Sequence, residues 1–142
     1  MEYKRDWETA RANLEAWWNG EDIGRPAMMV VAPRDVPRTS KWNDWLLIKR
    51  RDDVEYVVAE FEKHCRETWY AAESVPNLWL NLGPGILSAY FGIEPTIREE
   101  TVWFEPERPL DWDEILEMRF EESNPWWRTT VRLAEELVRL ES

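Results

Sequence analysis

Three kinds of residue in this sequence have the chemistry to act on or hold a ligand. Carboxylates come in close pairs, Glu99 with Glu100 and Glu105 with Glu107 across Pro106, and paired carboxylates are the machinery of glycoside hydrolysis. Sequence neighbours in an extended strand point to opposite faces, however, so these acids read as a solvated surface. His64 and Cys65 are metal-ligating types and are the one histidine and the one cysteine of the chain. Adjacent residues on a helix point about 100° apart and rarely share a metal, so no metal site is expected. Basic residues gather in 34–51, where six Lys or Arg face only Asp35 and Asp44. That segment is a landing site for a small carboxylated or phosphorylated molecule, or else a solvated loop.

The stretch NLGPGILSAYFG, residues 81–92, holds three of the chain's five glycines. Gly83 and Gly85 relieve the limits on φ at a sharp bend, and Pro84 fixes its own φ and removes a donor. Ile86, Leu87, Tyr90 and Phe91 then recur at helical spacing until Gly92 offers a C-cap. Backbone N–H groups at such a bend can meet an anion, although GPG alone is neither a phosphate loop nor a dinucleotide fingerprint.

Composition bounds what these residues belong to. A chain of 142 residues with 44 % apolar side chains is long enough for one domain, 1–142, with a sizeable core. No run approaches the ~18 apolar residues of a membrane span, and MEYKRDWETA lacks the apolar core of a signal peptide. One cysteine cannot form an internal disulfide, which points to a reducing, cytoplasmic setting. The net charge is −11, and residues 94–122 hold eleven acids against Arg98, Arg108 and Arg119. Nucleic acid, which needs a basic face, is not an expected partner.

The elements that must position these residues read as helices alternating with short strands. Tyr3, Trp7, Ala10, Leu14, Trp17 and Trp18 share a helix face that Gly20 ends. Ala27 to Ala32 is a continuous apolar run closed by Pro33, as in a strand buried on both faces of a parallel sheet. A short helix is expected over 42–48, and Asp52 with Glu55 resembles a capping box opening a helix to about Glu73, with Val54, Val57, Val58, Phe61, Cys65, Thr68 and Trp69 inward. Further strands are expected over 78–82, 101–105 and 116–120, the last two as a hairpin or arm. Asn124 and Pro125 make an N-cap and first-turn pair for a final helix whose stripe is Trp127, Val131, Ala134, Leu137 and Leu140. Of the eleven tryptophans, Trp7, Trp17, Trp69 and Trp127 fall on these stripes and are expected in the core.

Four stretches in order, NLEAWWNGEDIGRPAMMVVAPR, NLWLNLGPGILSAYFG, TVWFEPE and SNPWWR, resemble the N-terminal part of the uroporphyrinogen decarboxylase-like superfamily, with its corrinoid-linked methyltransferase relatives. The resemblance implies an α/β fold, the first part of a (β/α)8 barrel with a small β arm, and a portion without a complete active site of its own. It places Arg34, Asn81, Gly83 and Gly85 on the rim at strand C-terminal ends, where they would bind the anionic group of a substrate. As an exposed rim charge, Arg34 would add little to folding stability. The chain departs from the decarboxylases in carrying APRDVPR where they carry RQAGR, so it lacks their carboxylate grip. No cofactor is implied within this chain, since zinc and corrinoid would be held only by a full-length relative. Strands left without neighbours imply a homo-oligomer or association with the rest of a barrel. The alternative is an independent small α/β domain that binds a ligand or partner through a tryptophan-rich surface.

Overall fold

A computed structural model describes residues 2–43, 45–99 and 101–140. The chain forms two compact units, one of residues 1–42 and 59–79 and one of residues 43–58 and 80–142. In order the elements are α1 (Trp7–Trp18), β1 (Met29–Pro33), α2 (Leu46–Lys49), α3 (Val54–Glu67), β2 (Thr68–Ala72), α4 (Ile86–Tyr90), β3 (Thr96–Ile97), β4 (Val102–Trp103), α5 (Trp112–Glu117) and α6 (Pro125–Leu140). No helix among the described residues is long and apolar enough to cross a membrane.

In the first unit, β1 and β2 pair antiparallel in a two-stranded ribbon, with Val31 opposite Tyr70. The helix expected to reach Glu73 stops at Glu67 because Thr68 donates its hydroxyl to the His64 carbonyl (2.7 Å), and Thr-Trp-Tyr is a strand-forming run. The Arg34 N–H donates to the Glu67 carbonyl (2.8 Å), which holds the end of β1 against the start of β2. The two strands therefore run in opposite directions. No parallel strand pair occurs among the described residues, and the only sheets are two small antiparallel ribbons. The expected partial (β/α)8 barrel is thus overturned, since its strands are all parallel.

Two buried charges fasten the far end of this ribbon. The Glu73 carboxylate, 1 % exposed, accepts from Asn13 Nδ2 of α1 (3.0 Å), from both Arg25 Nη atoms (2.8 and 2.5 Å) and from the Met28 N–H (2.8 Å). Beside it, the fully buried Lys4 ammonium donates to the carbonyls of Tyr70 (3.2 Å) and Ala72 (2.7 Å) and pairs with Asp6 at 2.9 Å. Ala72 takes a positive φ of 50° where the strand ends, an uncommon conformation for a residue with a Cβ. Ala10, Phe61, Cys65 and Tyr70 supply the buried apolar side chains here.

In the second unit, α4 and α6 pack together. Asn124 caps α6, its Oδ1 accepting from the N–H groups of Trp126 (2.9 Å) and Trp127 (3.1 Å), and its Nδ2 donates to the Ala89 carbonyl of α4 (2.9 Å). The buried side chains of α6 are Trp126 and Leu133, each one residue before the expected Trp127 and Ala134, which like Val131 and Leu137 are half-buried; the side chain of Leu140 lies outside the described residues. Residues 78–82 form no strand. Residues 116–120 form none either, because Asp111 and Glu114 make a reciprocal capping box that opens α5 at Trp112. The short β4 pairs instead with β3. Two of the four tryptophans expected inside lie outside, Trp17 and Trp69 each 56 % exposed, while Trp7 and Trp127 are half-buried and Trp126 is 5 % exposed.

Arg25 beside Glu73 holds that carboxyl far below its usual value of 4.5, at about 2. A carboxylate with a depressed folded-state pKa adds stability that is present above the unfolded value and is lost as pH falls through the folded one. The Glu73→Gln variant is expected to be less stable by roughly 2–3 kcal/mol at neutral pH. In urea unfolding, that gap between wild type and variant should close as pH falls from about 4.5 to about 2. A gap that stays constant over this window would show that Glu73 is not ionised in the fold.

Candidate functional site

The residues expected on a common rim fall in different units and do different work. Arg34, half-buried, donates from Nε to the Thr68 carbonyl (2.9 Å) and from Nη2 to the Tyr3 carbonyl (3.2 Å). It clasps the chain near Tyr3 to the start of β2, a structural task beyond that of an exposed charge. Asn81 belongs to no strand, and its Oδ1 accepts from the Gly83 N–H (3.0 Å) in a local Asx turn.

The glycines of NLGPG answer to an aromatic ring. A Cβ on Gly83, which has φ 108°, would lie 2.9 Å from Phe104 Cε2, and one on Gly85 only 2.6 Å from Phe104 Cδ2. Phe104 follows β4, so the bend and the TVWFEP segment are fitted to each other at van der Waals contact. Gly85 then caps the short α4. The N–H of Gly83 is already taken by Asn81.

A partly enclosed cavity in the first unit holds about 360 Å³. Val31 to Pro33 of β1 form its apolar side, and Arg38, Ser40 and Trp42 come from the loop after β1. His64, Glu67, Thr68 and Tyr70 complete it from the end of α3 and from β2. Two α3 carboxylates set that loop: Glu67 accepts from the Thr39 N–H (2.6 Å), the Thr39 hydroxyl (2.8 Å) and the Ser40 N–H (3.1 Å), and buried Glu60 accepts from the Lys41 N–H and pairs with Lys63 at 2.7 Å. These donors hold both carboxyls below the usual range. Trp42 packs edge-on against Phe61 at 5.0 Å. Arg38 is exposed and has no hydrogen-bond or ion-pair partner among the described residues.

Of the other candidates, His64 borders this cavity, while Cys65 is buried, its thiol pushed up by burial and accepting from the Tyr70 hydroxyl at 3.6 Å. No group of three or more His, Cys, Asp or Glu among the described residues is disposed to hold a metal ion. Glu99, Glu105 and Glu107 are exposed, and Glu100, like Asp44, lies outside the described residues. The second cavity, about 650 Å³, is an open cleft along α6 where Arg128 and Arg132 alternate with Glu135. Arg38 was legible in the sequence only as one member of a basic segment. What singles it out is the loop fastened by Glu60 and Glu67, whose partners are 19 to 28 residues away.

A second structural feature adjoins this cavity. Met29 is 74 % and Val31 62 % exposed, although MMVVA reads as a buried strand. Even-numbered residues of β1 bond towards β2, as the Glu73 N–H to Met28 carbonyl bond (2.9 Å) and the Arg34 N–H to Glu67 carbonyl bond fix at the two ends. Met29, Val31 and Pro33 thus turn their backbone groups to the open edge.

Two stability measurements check these assignments. Gly85→Ala is expected to destabilise by roughly 1–3 kcal/mol through overpacking, and Phe104→Leu in the same chain should recover part of that loss. Arg34→Ala should cost about 1–2 kcal/mol for its two charge-assisted hydrogen bonds. A G85A variant as stable as wild type would refute the contact with Phe104.

No family model, no curated protein and no solved structure matches this chain.

Proposed function

We propose that the chain is an assembly module in which β1 of one copy pairs antiparallel with β1 of a second. The observation that carries this is the open edge of β1, an apolar strand whose outward backbone groups have no strand partner among the described residues, the kind of edge that recruits another strand. A two-fold axis at Val31 would exchange two Val31 hydrogen bonds. It would also bring each Met29 N–H to the Pro33 carbonyl of the other copy, and Pro33, with no N–H of its own, then falls at the end of the ladder.

Charge permits such pairing here. The unit that carries β1 has nine Lys or Arg against eleven Asp or Glu, while the other carries nine against eighteen. The strongly acidic half would repel its like, and the β1 half is almost neutral. The buried thiol of Cys65 supports a reducing compartment, in keeping with the expected cytoplasmic setting. A second reading draws on the resemblance to the N-terminal part of uroporphyrinogen decarboxylase-like proteins. In it the chain is a portion of a decarboxylase- or methyltransferase-class protein that is incomplete as a catalyst, and the same open edge would receive another segment of that protein.

Sedimentation velocity separates the two. Self-pairing through so small a surface should give a dissociation constant of roughly 0.1 mM. Met29→Lys, at an exposed position that does not border the cavity, should shift the chain to monomer without changing its unfolding midpoint. A wild type that remains monomeric at about ten times that concentration overturns the dimer and leaves the second reading.

A further inference from the structure

We infer that the cavity between β1 and the loop after it is a binding site for a small flat monocarboxylic acid, held by Arg38 and stacked against Trp42. This goes beyond strand pairing and does not rest on it.

The charges in the cavity define the ligand. Glu67 is held in its ionised form by the donors of Thr39 and Ser40, so its negative charge is fixed in the wall, where it accepts hydrogen bonds and donates none. Glu60 is likewise committed to Lys41 and Lys63. Arg38 is the cation on this cavity that no described residue neutralises. Its planar fork matches one carboxylate in two parallel hydrogen bonds. A ligand with two or more negative charges would place its second charge against Glu67, so a polycarboxylate or phosphate is disfavoured.

The body of the ligand is set by the walls. Val31 and the rings of Trp42, Tyr70 and Pro33 present apolar surface, and Tyr70 and Thr68 have their hydroxyls engaged elsewhere, with Cys65 and the His64 carbonyl. Little hydrogen bonding remains to greet a sugar or a polar chain. Trp42 is held in place by Phe61, so one face of an aromatic ring system can stack without ordering the indole first. A volume of about 360 Å³ is at the small end of ligand pockets, which run from roughly 300 to 1,000 Å³. It suits one or two fused rings. The charge logic also separates this site from the multi-carboxylate substrates that the decarboxylase resemblance would imply.

Saturation-transfer NMR and calorimetry with 2-naphthoate test the site, on protein kept dilute enough to remain monomeric. Naphthoate should bind wild type, while 2-naphthalenemethanol, citrate and inorganic phosphate should bind at least roughly tenfold more weakly. Arg38→Gln, at an exposed position, should reduce naphthoate affinity by roughly tenfold or more and leave the unfolding midpoint unchanged. Binding of the neutral alcohol as tight as naphthoate overturns the role of Arg38 without any variant. So does equal affinity in R38Q. No naphthoate binding to wild type, or tighter binding of citrate or phosphate, overturns the site itself.

Discussion

Everything in the first unit depends on one buried carboxylate. A two-stranded ribbon is marginal in water without a layer packed over it, and β1 is open along most of its length. Glu73 supplies what packing does not, by collecting donors from α1 through Asn13, from the GRP segment through Arg25, and from the entry to β1 through the Met28 N–H. A desolvated carboxylate with fewer partners would be a large liability. With four donors it fixes where the ribbon begins relative to α1, and Lys4 does the same for the carbonyls at the end of β2.

The same use of acids as acceptors recurs along α3. Glu60 and Glu67 fasten the loop that carries Arg38, and Glu55 at the other end of the helix pairs with Arg132 of α6. In the second unit cations also contribute through rings: the Arg51 guanidinium lies 4.6 Å from the Trp126 ring centre, the one tryptophan that is buried. The surplus of negative charge therefore has two fates. Some acids, Glu60, Glu67, Glu73 and Glu114 among them, are structural acceptors with depressed pKa values, and others, such as Glu99, Glu105 and Glu107, stay exposed.

Local chemistry was readable where the responsible residues are neighbours in sequence. The Asn124–Pro125 start of α6, the end of α1 before Gly20, the bend and short helix of NLGPGILSAYFG, and the inward stripe Val54, Val57, Val58, Phe61 and Cys65 all follow from spacing alone. Two elements depart from the expected pattern although their signals are present in the sequence. Thr68, Trp69 and Tyr70 are strand formers that were absorbed into a helix period, and the Asp111–Glu114 box was outweighed by the alternation of Leu116, Met118 and Phe120. The rest was not local. The pairing of β1 with β2, the junction of Arg25 with Glu73 and the fit of Gly85 to Phe104 join residues about 20 to 50 positions apart, which no window of periodicity spans. The barrel expected from resemblance requires parallel strands, and the described residues form only antiparallel ribbons. The exposure of Trp17, Trp18 and Trp69 likewise went against a hydrophobic stripe.

Helix α3 passes into β2 with no residue between them: Glu67 is the last of one and Thr68 the first of the other. A helix advances 100° per residue and a strand alternates faces every residue. Without a loop to absorb a mismatch, the two periods are locked in phase at this peptide. Lengthening α3 by one residue would carry Cys65 round the helix or turn Tyr70 from the inner to the outer face of the ribbon, and it would slip the whole β1–β2 register with it. Most helix and strand junctions tolerate insertions in evolution because a loop takes up the change. This one behaves as a ruler, and the number of residues from Phe61 to Glu73 is as much a part of the fold as their identities.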